Sequence, residues 1–146
     1  MEYKKIKAHK MSEGELRQLW KDKYCDPSNP IYTLDNILVK FYPEMFDHAF
    51  YESDNWKAKD KSLLSLNRCE KMLWIKDALQ DPDAILKKGW DRKTKSYRDD
   101  RRTAIVKDNY IVIILIFKPQ KARFVTAFEF TSEEGLKQVF NSPDWV

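Results

Sequence analysis

The feature that most constrains this chain is the stretch from Tyr110 to Phe130, which reads as two strands joined by a tight connection at Pro119 and Gln120. Its first half, Ile111 to Phe117, is apolar at every position and rich in β-branched side chains. We therefore expect a strand that is covered on both faces. The run is too short to cross a membrane as a helix. A buried hairpin of this kind predicts a sheet, to which the rest of the chain adds helices and charges.

The second half of the hairpin alternates in character. With strict alternation, one face carries Phe124, Thr126, Phe128 and Phe130, and the other carries Arg123, Val125, Ala127 and Glu129. Thr126 stands inside the aromatic row, where its hydroxyl could bond a phosphate oxygen. The alternative is an ordinary strand threonine, placed there by its β-propensity.

Helix signals dominate the chain before the hairpin. Ser12 and Glu15 have the spacing of a capping box at the start of a first helix. A short helix is expected from Pro43 to about Tyr51, because proline suits the first helical turn. The clearest helix begins at Ser65, which can cap it, and ends at Asp81-Pro82.

Strand signals and termini complete the pattern. Residues 37–42 favour a strand, Ala84 to Leu86 begin the sheet, and Thr103 to Val106 resume it. Met1 to Met11 are expected to form a frayed arm or a short edge strand, and Ser132 begins a short C-terminal helix. Helices followed by a meander predict an α+β fold, with N-terminal helices packed on a four-stranded or slightly larger antiparallel sheet.

Positive charge is concentrated in one segment. The whole chain has a formal net charge of +4, whereas residues 87–107 alone carry +6, so the remainder is slightly acidic. Cations interleaved with aromatic side chains are typical of proteins that bind single-stranded RNA by phosphate contacts and base stacking. The residues predicted to bind RNA are Lys87, Lys88, Trp90, Arg92, Lys93, Lys95, Arg98 and Arg102. The alternative is a solvated hairpin of mixed charge.

His48 is the candidate proton-transfer residue. It is one of two histidines, the other being His9 in the N-terminal arm, and it lies on the polar flank of the predicted short helix. Histidine titrates near neutral pH, which suits general acid–base catalysis. The alternative is a solvated surface histidine that is salt-linked to Glu44.

Three arginines are candidates for holding a phosphate or stabilising a pentavalent transition state. They are Arg68, Arg101 and Arg102. Arg68 falls in the first turn of the helix that begins at Ser65, on the side of its apolar stripe. The alternative for each arginine is an ordinary surface ion pair.

The sequence predicts neither a metal nor a cofactor. Cys25 and Cys69 lack the spacing of a zinc site or of a disulfide framework, and no glycine-rich phosphate loop is present. No apolar run of the secretory kind lies near the start of the sequence. We therefore expect a cytoplasmic protein with reduced thiols and no membrane association.

Three segments together resemble the phage-associated branch of the superfamily that unites barnase, the EndoU nucleases, colicin-type transfer-RNA nucleases and RelE-type toxins. They are Phe-Asp-His-Ala-Phe-Tyr at 46–51, the helix at 68–75 with its Asp81-Pro82 end, and Phe-Val-Thr-Ala-Phe at 124–128. Members of that superfamily have helices ahead of a four-stranded antiparallel sheet and cleave RNA without a metal. The resemblance covers roughly residues 45–130 and implies a barnase/RelE-like fold.

The resemblance implies a metal-independent endoribonuclease, toxin-like or carried by a mobile element, in which the ribose 2′-hydroxyl attacks the adjacent phosphate. It matches His48 to the histidine ahead of the main helix, Arg68 to the basic residue at that helix's start, and Thr126 to the hydroxyl residue of the last strand. Arg101 or Arg68 would stabilise the phosphorane, while Tyr97 and Thr126 would position or protonate the reacting groups. The implied partners are RNA, with transfer RNA as a candidate, and a cognate antitoxin or immunity protein.

The length of 146 residues predicts one domain. Within it we expect an N-terminal extension at 1–44, a nuclease-like core at 45–130 and a C-terminal helix or tail at 131–146. Two other functions stay open. One is a non-catalytic RNA- or protein-binding module of the same fold, and the other is a structural phage or plasmid accessory protein that assembles through aromatics such as Trp90 and Trp145.

Overall fold

In the computed structural model, which describes residues 3–52 and 63–145, the chain forms an α+β fold. The α-helices of the described ranges are α1 (Glu13–Trp20), α2 (Met45–Ala49), α3 (Leu66–Glu70), α4 (Trp74–Leu79) and α5 (Glu133–Phe140). The strands are β1 (Ile31–Tyr32), β2 (Leu38–Lys40), β3 (Tyr51–Glu52), β4 (Leu63–Leu64), β5 (Ile85–Asp91), β6 (Ser96–Val106), β7 (Tyr110–Lys118) and β8 (Lys121–Glu129). None of the helices in these ranges has the length and apolar character needed to span a membrane.

Six of these strands form one sheet in the order β1-β2-β8-β7-β6-β5, while β3 and β4 form a separate pair. β5 to β8 make the antiparallel meander that the sequence predicts. β2 joins β8 in parallel and β1 pairs with β2, so the N-terminal segment supplies two further strands. The α+β class and the strand within residues 37–42 are confirmed, whereas the sheet has six strands and one parallel pair.

A β-bulge in β8 changes which side chains share a face. Ile113 pairs with Thr126 but Ile114 pairs with Phe124, so Val125 is an extra residue without its own partner. A bulge of one residue reverses the alternation beyond it. Phe124 therefore faces the helices, while Thr126 and Phe128 face the other way. The predicted row from Phe124 to Phe130 on one face is wrong, because strict alternation does not hold through the bulge.

Helices α1 to α4 cover one face of the sheet, and an aromatic cluster fills the space between them. Trp20 is fully buried and packs on Phe41, Phe50 and Phe124 with ring centroids 5.3–5.7 Å apart. Its indole N–H donates to the backbone carbonyl of Tyr42 at 3.0 Å. Rings at this separation add to the free energy of burial, and a paired N–H avoids the cost of an unsatisfied buried donor. This layer supplies most of the hydrophobic core.

The N-terminal arm is part of that core rather than frayed. Tyr3 is buried against Trp74 in an edge-to-face contact, and its hydroxyl donates to a carboxylate oxygen of Asp81. The backbone N–H of Ile6 donates to the carbonyl of Glu70 at 2.9 Å. The predicted capping box between Ser12 and Glu15 at the start of α1 is confirmed. These contacts fasten the first residues to the far end of the helix layer.

The helix predicted from Ser65 to Asp81 is interrupted. Ser65 caps α3 as predicted, but a turn at residues 71–73 separates α3 from α4. Lys71 in this turn is buried, and its ammonium lies 3.4 Å from the carboxylate of Glu129 on β8. A buried cation needs such partners because desolvation penalises an isolated charge. The turn therefore coincides with a tie between the helix layer and the sheet.

We call the face of the sheet opposite α1 to α4 the outer face. Helix α5 lies over one part of it, beside Ile111, Phe128 and Phe130. The ring of Phe130 approaches Gly135 of α5 so closely that a Cβ there would lie 3.1 Å from a ring atom. We call the remaining part, defined by Lys40, Arg101, Leu115 and Arg123, the open half, because α5 does not extend over those positions.

Candidate nucleic-acid interface

Three cations line up across four neighbouring strands of the open half. Lys40 of β2 pairs with Arg123 of β8, Arg123 pairs with Leu115 of β7, and Leu115 pairs with Arg101 of β6. Neighbouring strands lie about 4.8 Å apart, so the row spans roughly 14 Å at the backbone. In the described part of the chain no carboxylate forms a salt bridge with these three cations. The open half therefore carries a row of three cations without a salt-bridge partner among the described residues.

Arg101 is held in this row by an unusual contact. Its aliphatic stem lies across Gly89, where a Cβ would come within 2.5 Å of the Arg101 Cγ. Its Nε is buried and has no hydrogen-bond partner among the described residues. Burial lowers the pKa of Arg101, Asp91 opposes that shift, and the nearby Arg123 lowers the pKa further. An anion bound beside Arg101 and Arg123 would offset the repulsion between these two like charges.

The β5–β6 hairpin adds aromatic side chains next to the row. Trp90 and Tyr97 are paired across the hairpin, with ring centroids 5.1 Å apart in an edge-to-face arrangement. Trp90 is 47% exposed and Tyr97 is 42% exposed, so both offer ring surface to solvent. The exposed side chains of Arg92, Lys93 and Lys95 surround the turn, and they form no ion pair with any residue that the structure describes. Rings of this kind can stack on nucleobases.

Other cations of the predicted RNA-binding segment are paired with carboxylates. Lys87 lies 2.6 Å from Asp144, and Lys88 lies 2.6 Å from Asp99. Arg98 bonds to the carboxylates of Asp100 and Asp91 at 2.7 and 3.1 Å. Lys88 lowers the pKa of Asp99, so that carboxylate stays ionised beside it. Asp91, Asp99 and Asp100 already enter the net count of +6, so among these pairs only the one with Asp144 lowers the local charge below that count.

Arg102 has a structural environment. It is 3% exposed, and its two terminal nitrogens donate to the two oxygens of Asp35 at 2.8 and 3.2 Å. The same guanidinium lies over the ring of Trp145, 5.5 Å from its centroid. Hydrogen bonds from Arg102 lower the pKa of Asp35 to about 2. Arg102 joins β6 to the loop before β2, so we assign it to the fold rather than to a ligand surface.

The two residues predicted at the helices lie together. His48 is exposed on α2, whose Phe46 and Ala49 are buried in the core. A terminal nitrogen of Arg68 donates to the carbonyl oxygens of Ala49 and Tyr51 at 3.5 and 3.4 Å. Arg68 thus caps the C-terminal end of α2, one residue away from His48. Both belong to the helix layer.

The remaining predicted catalytic residues lie on the other side of the sheet. Thr126 pairs with Ile113 on the outer face, where Tyr97 and Arg101 also lie. The structure therefore brings Thr126, Tyr97 and Arg101 to one face but separates them from His48 and Arg68 by the sheet. The Val125 bulge contributes to this separation, since it turns Thr126 away from the helices.

Sequence reasoning missed Lys40 and Arg123. They are far apart in the sequence, and only the parallel pairing of β2 with β8 places them side by side. Each alternates with buried residues, Val39 before Lys40 and Ala122 and Phe124 around Arg123. That alternation is the signal that could have assigned them to an exposed face.

A second cavity lies on the helix side of the molecule, with a volume of about 770 Å³ and Lys23, Tyr24 and Lys76 on its wall. The hydroxyl of Tyr24 donates to the carbonyl of Met72 at 2.7 Å and accepts the backbone N–H of Lys76 at 3.1 Å. The Tyr24 hydroxyl on its wall is thus satisfied by backbone groups of the protein itself.

Comparison of the chain with protein-family models, with curated proteins and with solved structures gives no significant match.

Proposed function

We propose that the protein binds single-stranded RNA on the open half of the sheet. The observation that carries this proposal is the row of Lys40, Arg123 and Arg101 across four strands, without a salt-bridge partner among the described residues. Phosphates attract such cations, and a bound phosphate would offset the repulsion between Arg101 and Arg123. This is the binding-module alternative of the sequence analysis, assigned to a particular surface.

The aromatic side chains favour single-stranded RNA over duplex RNA as the ligand. Trp90 and Tyr97 expose ring surface beside the row, and stacking requires bases that are not already stacked in a helix. Arg92, Lys93 and Lys95 at the hairpin turn extend the positive surface beyond the rings. A strand that lies along the row would therefore reach both phosphate contacts and stacking partners.

Fluorescence anisotropy with a labelled twelve-nucleotide RNA, measured across a salt series, tests the proposal. Three phosphate contacts to single-stranded RNA predict a slope of log affinity against log salt of about −2. The double variant Arg101→Ala/Arg123→Ala should reduce the magnitude of that slope by about 1.4. A duplex of the same length should bind more weakly than the single strand.

The matched control is Lys21→Ala/Lys23→Ala, which removes the same charge from exposed positions on the helix side of the molecule. This variant should keep the wild-type slope. Equal losses in the two double variants would show that only net charge matters, and they would remove the argument for the open half. An absence of RNA binding by the wild-type protein at low salt would reject the proposal.

A second candidate function is cleavage by a metal-independent endoribonuclease of barnase/RelE-like fold, toxin-like or carried by a mobile element. One observation favours it: Tyr97, Arg101 and Thr126 share the outer face, so a phenol, a guanidinium and a hydroxyl lie on the same side of the sheet. His48 lies in the helix layer, so this candidate needs its proton transfer from a group on the outer face. We assign this proton transfer to Tyr97, which lies on that face.

Incubation of total RNA and transfer RNA with the purified protein in EDTA tests cleavage directly. For the outer-face mechanism, Thr126→Ala and Tyr97→Phe should lose activity while His48→Ala keeps it. Loss in His48→Ala alone would instead support the histidine mechanism that the family resemblance implies. If neither the wild type nor any variant cleaves RNA, while the wild type binds RNA in a salt-dependent way, cleavage is rejected and the binding function stands.

A further inference from the structure

A cavity of about 470 Å³ lies between α5 and the outer face of the sheet. Its floor is formed by the apolar side chains of Ile111, Ile113 and Phe128, and its mouth includes Trp90 and Tyr97. Sites for small ligands have this size and are lined mainly by apolar and aromatic groups with a few placed polar ones. The two rings therefore belong both to the mouth of the cavity and to the proposed RNA surface beside it.

Thr103 is the most buried polar residue on the cavity wall. It is 5% exposed and lies on the cavity wall, directly across from Ile113 in the sheet. Among the residues that the structure describes, no group forms a hydrogen bond with its hydroxyl. Because Thr103 lines the cavity, a ligand that enters the cavity can supply a hydrogen-bond partner for this hydroxyl. Tyr24 in the helix-side cavity shows the opposite case, since its hydroxyl is satisfied by backbone groups.

Helix α5 closes the cavity without filling it. None of its residues is fully buried, and Val139 and Gln138 of α5 line the space above the sheet. The close approach of Gly135 to the ring of Phe130 sets the height of the helix over the strands. A flat ligand would thus lie between an apolar floor and a helix whose amide side chain can donate and accept hydrogen bonds.

We propose that this cavity takes one nucleobase of the bound RNA, flipped from the strand on the open half, with its edge hydrogen-bonded to the Thr103 hydroxyl. The inference rests on the proposed RNA-binding function and adds base selection to it. Trp90 and Tyr97 line the cavity, and Arg101 of the open half packs on Gly89, the residue before Trp90, so the cavity lies beside the open half. An apolar side chain of a protein partner would leave Thr103 unpaired, whereas a nucleobase carries donors and acceptors at its edge.

Two variants test the cavity. Thr103→Val removes the hydroxyl at nearly constant volume, and Val139→Phe fills the space from the helix. Affinities for fluorescein-labelled octamers of U, C, A and G would be measured at low salt, with the unfolding midpoint of each variant as a check on folding. We expect the wild type to prefer one base. Thr103→Val should lower the affinity for that octamer about fivefold, which corresponds to the loss of one hydrogen bond. Val139→Phe should bring all four octamers to a common affinity.

The outcomes separate the two proposals. If the wild type binds all four octamers equally, or if both variants keep its preference, the base pocket is rejected while the RNA surface stands. If the wild type binds no octamer, the proposed function fails and the pocket fails with it. Should Val139→Phe not fold, Thr103→Val decides alone: an unchanged preference overturns the inference, and a selective loss for one base supports it.

Discussion

The helix-covered face and the outer face of the sheet share the strands β6, β7 and β8, yet their side chains meet different surroundings. On the covered face, Val112, Ile114 and Phe124 are buried in one continuous cluster with the helices. On the open half, Leu115 lies between Arg101 and Arg123, and no helix covers the three positions. The comparison shows that the residues on one face of a hairpin can pack in the core while the residues on its other face form a charged surface.

The change between the two roles depends on one inserted residue. Without the bulge at Val125, Thr126 and Phe128 would continue on the face of Phe124 and point at the helices. With it, the N-terminal part of β8 buries Ala122 and Phe124 while its C-terminal part places Phe128 beneath α5. The bulge thus allows β8 to serve two cores on opposite sides of the sheet.

The largest expected effect is at the aromatic cluster. Phe124→Ala removes a fully buried ring that stacks on Phe41 at 5.2 Å, and we expect it to lower the free energy of unfolding by about 3–5 kcal/mol. The matched control is Phe117→Ala. Because Phe117 is 49% exposed, this substitution should lower the free energy of unfolding by less than about 1 kcal/mol. Urea unfolding of the two variants measures the difference. Similar losses would mean that the two regions of the hairpin are not energetically distinct.

The next effect concerns the pair that fixes β6 to the N-terminal strands. Asp35→Ala leaves the buried guanidinium of Arg102 without its carboxylate, and we expect a loss of roughly 2 kcal/mol, below the 3–5 kcal/mol of a fully buried pair because Asp35 is half exposed. Chemical denaturation at pH 7 checks this value. RNA affinity should not change, because Arg102 lies away from the open half; a selective loss of affinity would reject its structural assignment.

The same pair predicts a pH dependence. The pKa of Asp35 is lowered from 3.8 to about 2 by the hydrogen bonds of Arg102, so the folded state favours the ionised carboxylate. Its contribution to stability is complete above pH 3.8 and is lost as the pH falls towards 2. Discounted for solvent screening, that contribution is roughly 1 kcal/mol. The stability difference between wild type and Asp35→Asn should therefore shrink between pH 4 and pH 2; a constant difference would contradict the ion pair.

A smaller effect on stability, with a clear effect on binding, is expected at Gly89. Gly89→Ala places a Cβ 2.5 Å from the Arg101 Cγ, so the arginine must leave its position in the row. We expect a destabilisation of about 1 kcal/mol. The RNA affinity should drop as far as it does in Arg101→Ala. Gly14→Ala is the control, because only the Ser12 hydroxyl oxygen lies near that site, at 3.8 Å. Unchanged RNA affinity in Gly89→Ala would remove Arg101 from the proposed surface.

Much of the fold was predictable from local signals. The capping residues Ser12 and Ser65 and the hairpin at Pro119 are encoded by short stretches, so the sequence predicts them. The bulge at Val125 was not predictable, since nothing in a run of alternating residues marks where one is inserted. A hydrophobic pattern predicts which residues are buried. It is a poorer guide to the face of the sheet on which each of them lies.

The candidate site was predictable only in part for the same reason. The hairpin with Trp90 and Tyr97 is contiguous in sequence, whereas the row of Lys40, Arg123 and Arg101 is assembled from three distant strands. Charge counting also overestimated the segment at 87–107, because Asp144 and Asp35, which lie outside the segment, pair with Lys87 and Arg102. Pairing across the sheet decides which charges stay available, and pairing is a property of the tertiary structure.

The most direct test of the central claim is an NMR titration of the ¹⁵N-labelled protein with a single-stranded octanucleotide, followed through the backbone amide shifts. If RNA lies on the open half, the amides of Leu115, Arg123 and Trp90 should shift together and saturate at the same RNA concentration. The amides around His48 and Arg68 in the helix layer should stay in place. Shifts centred on α2 and α3, or no shifts at low salt, would contradict the account.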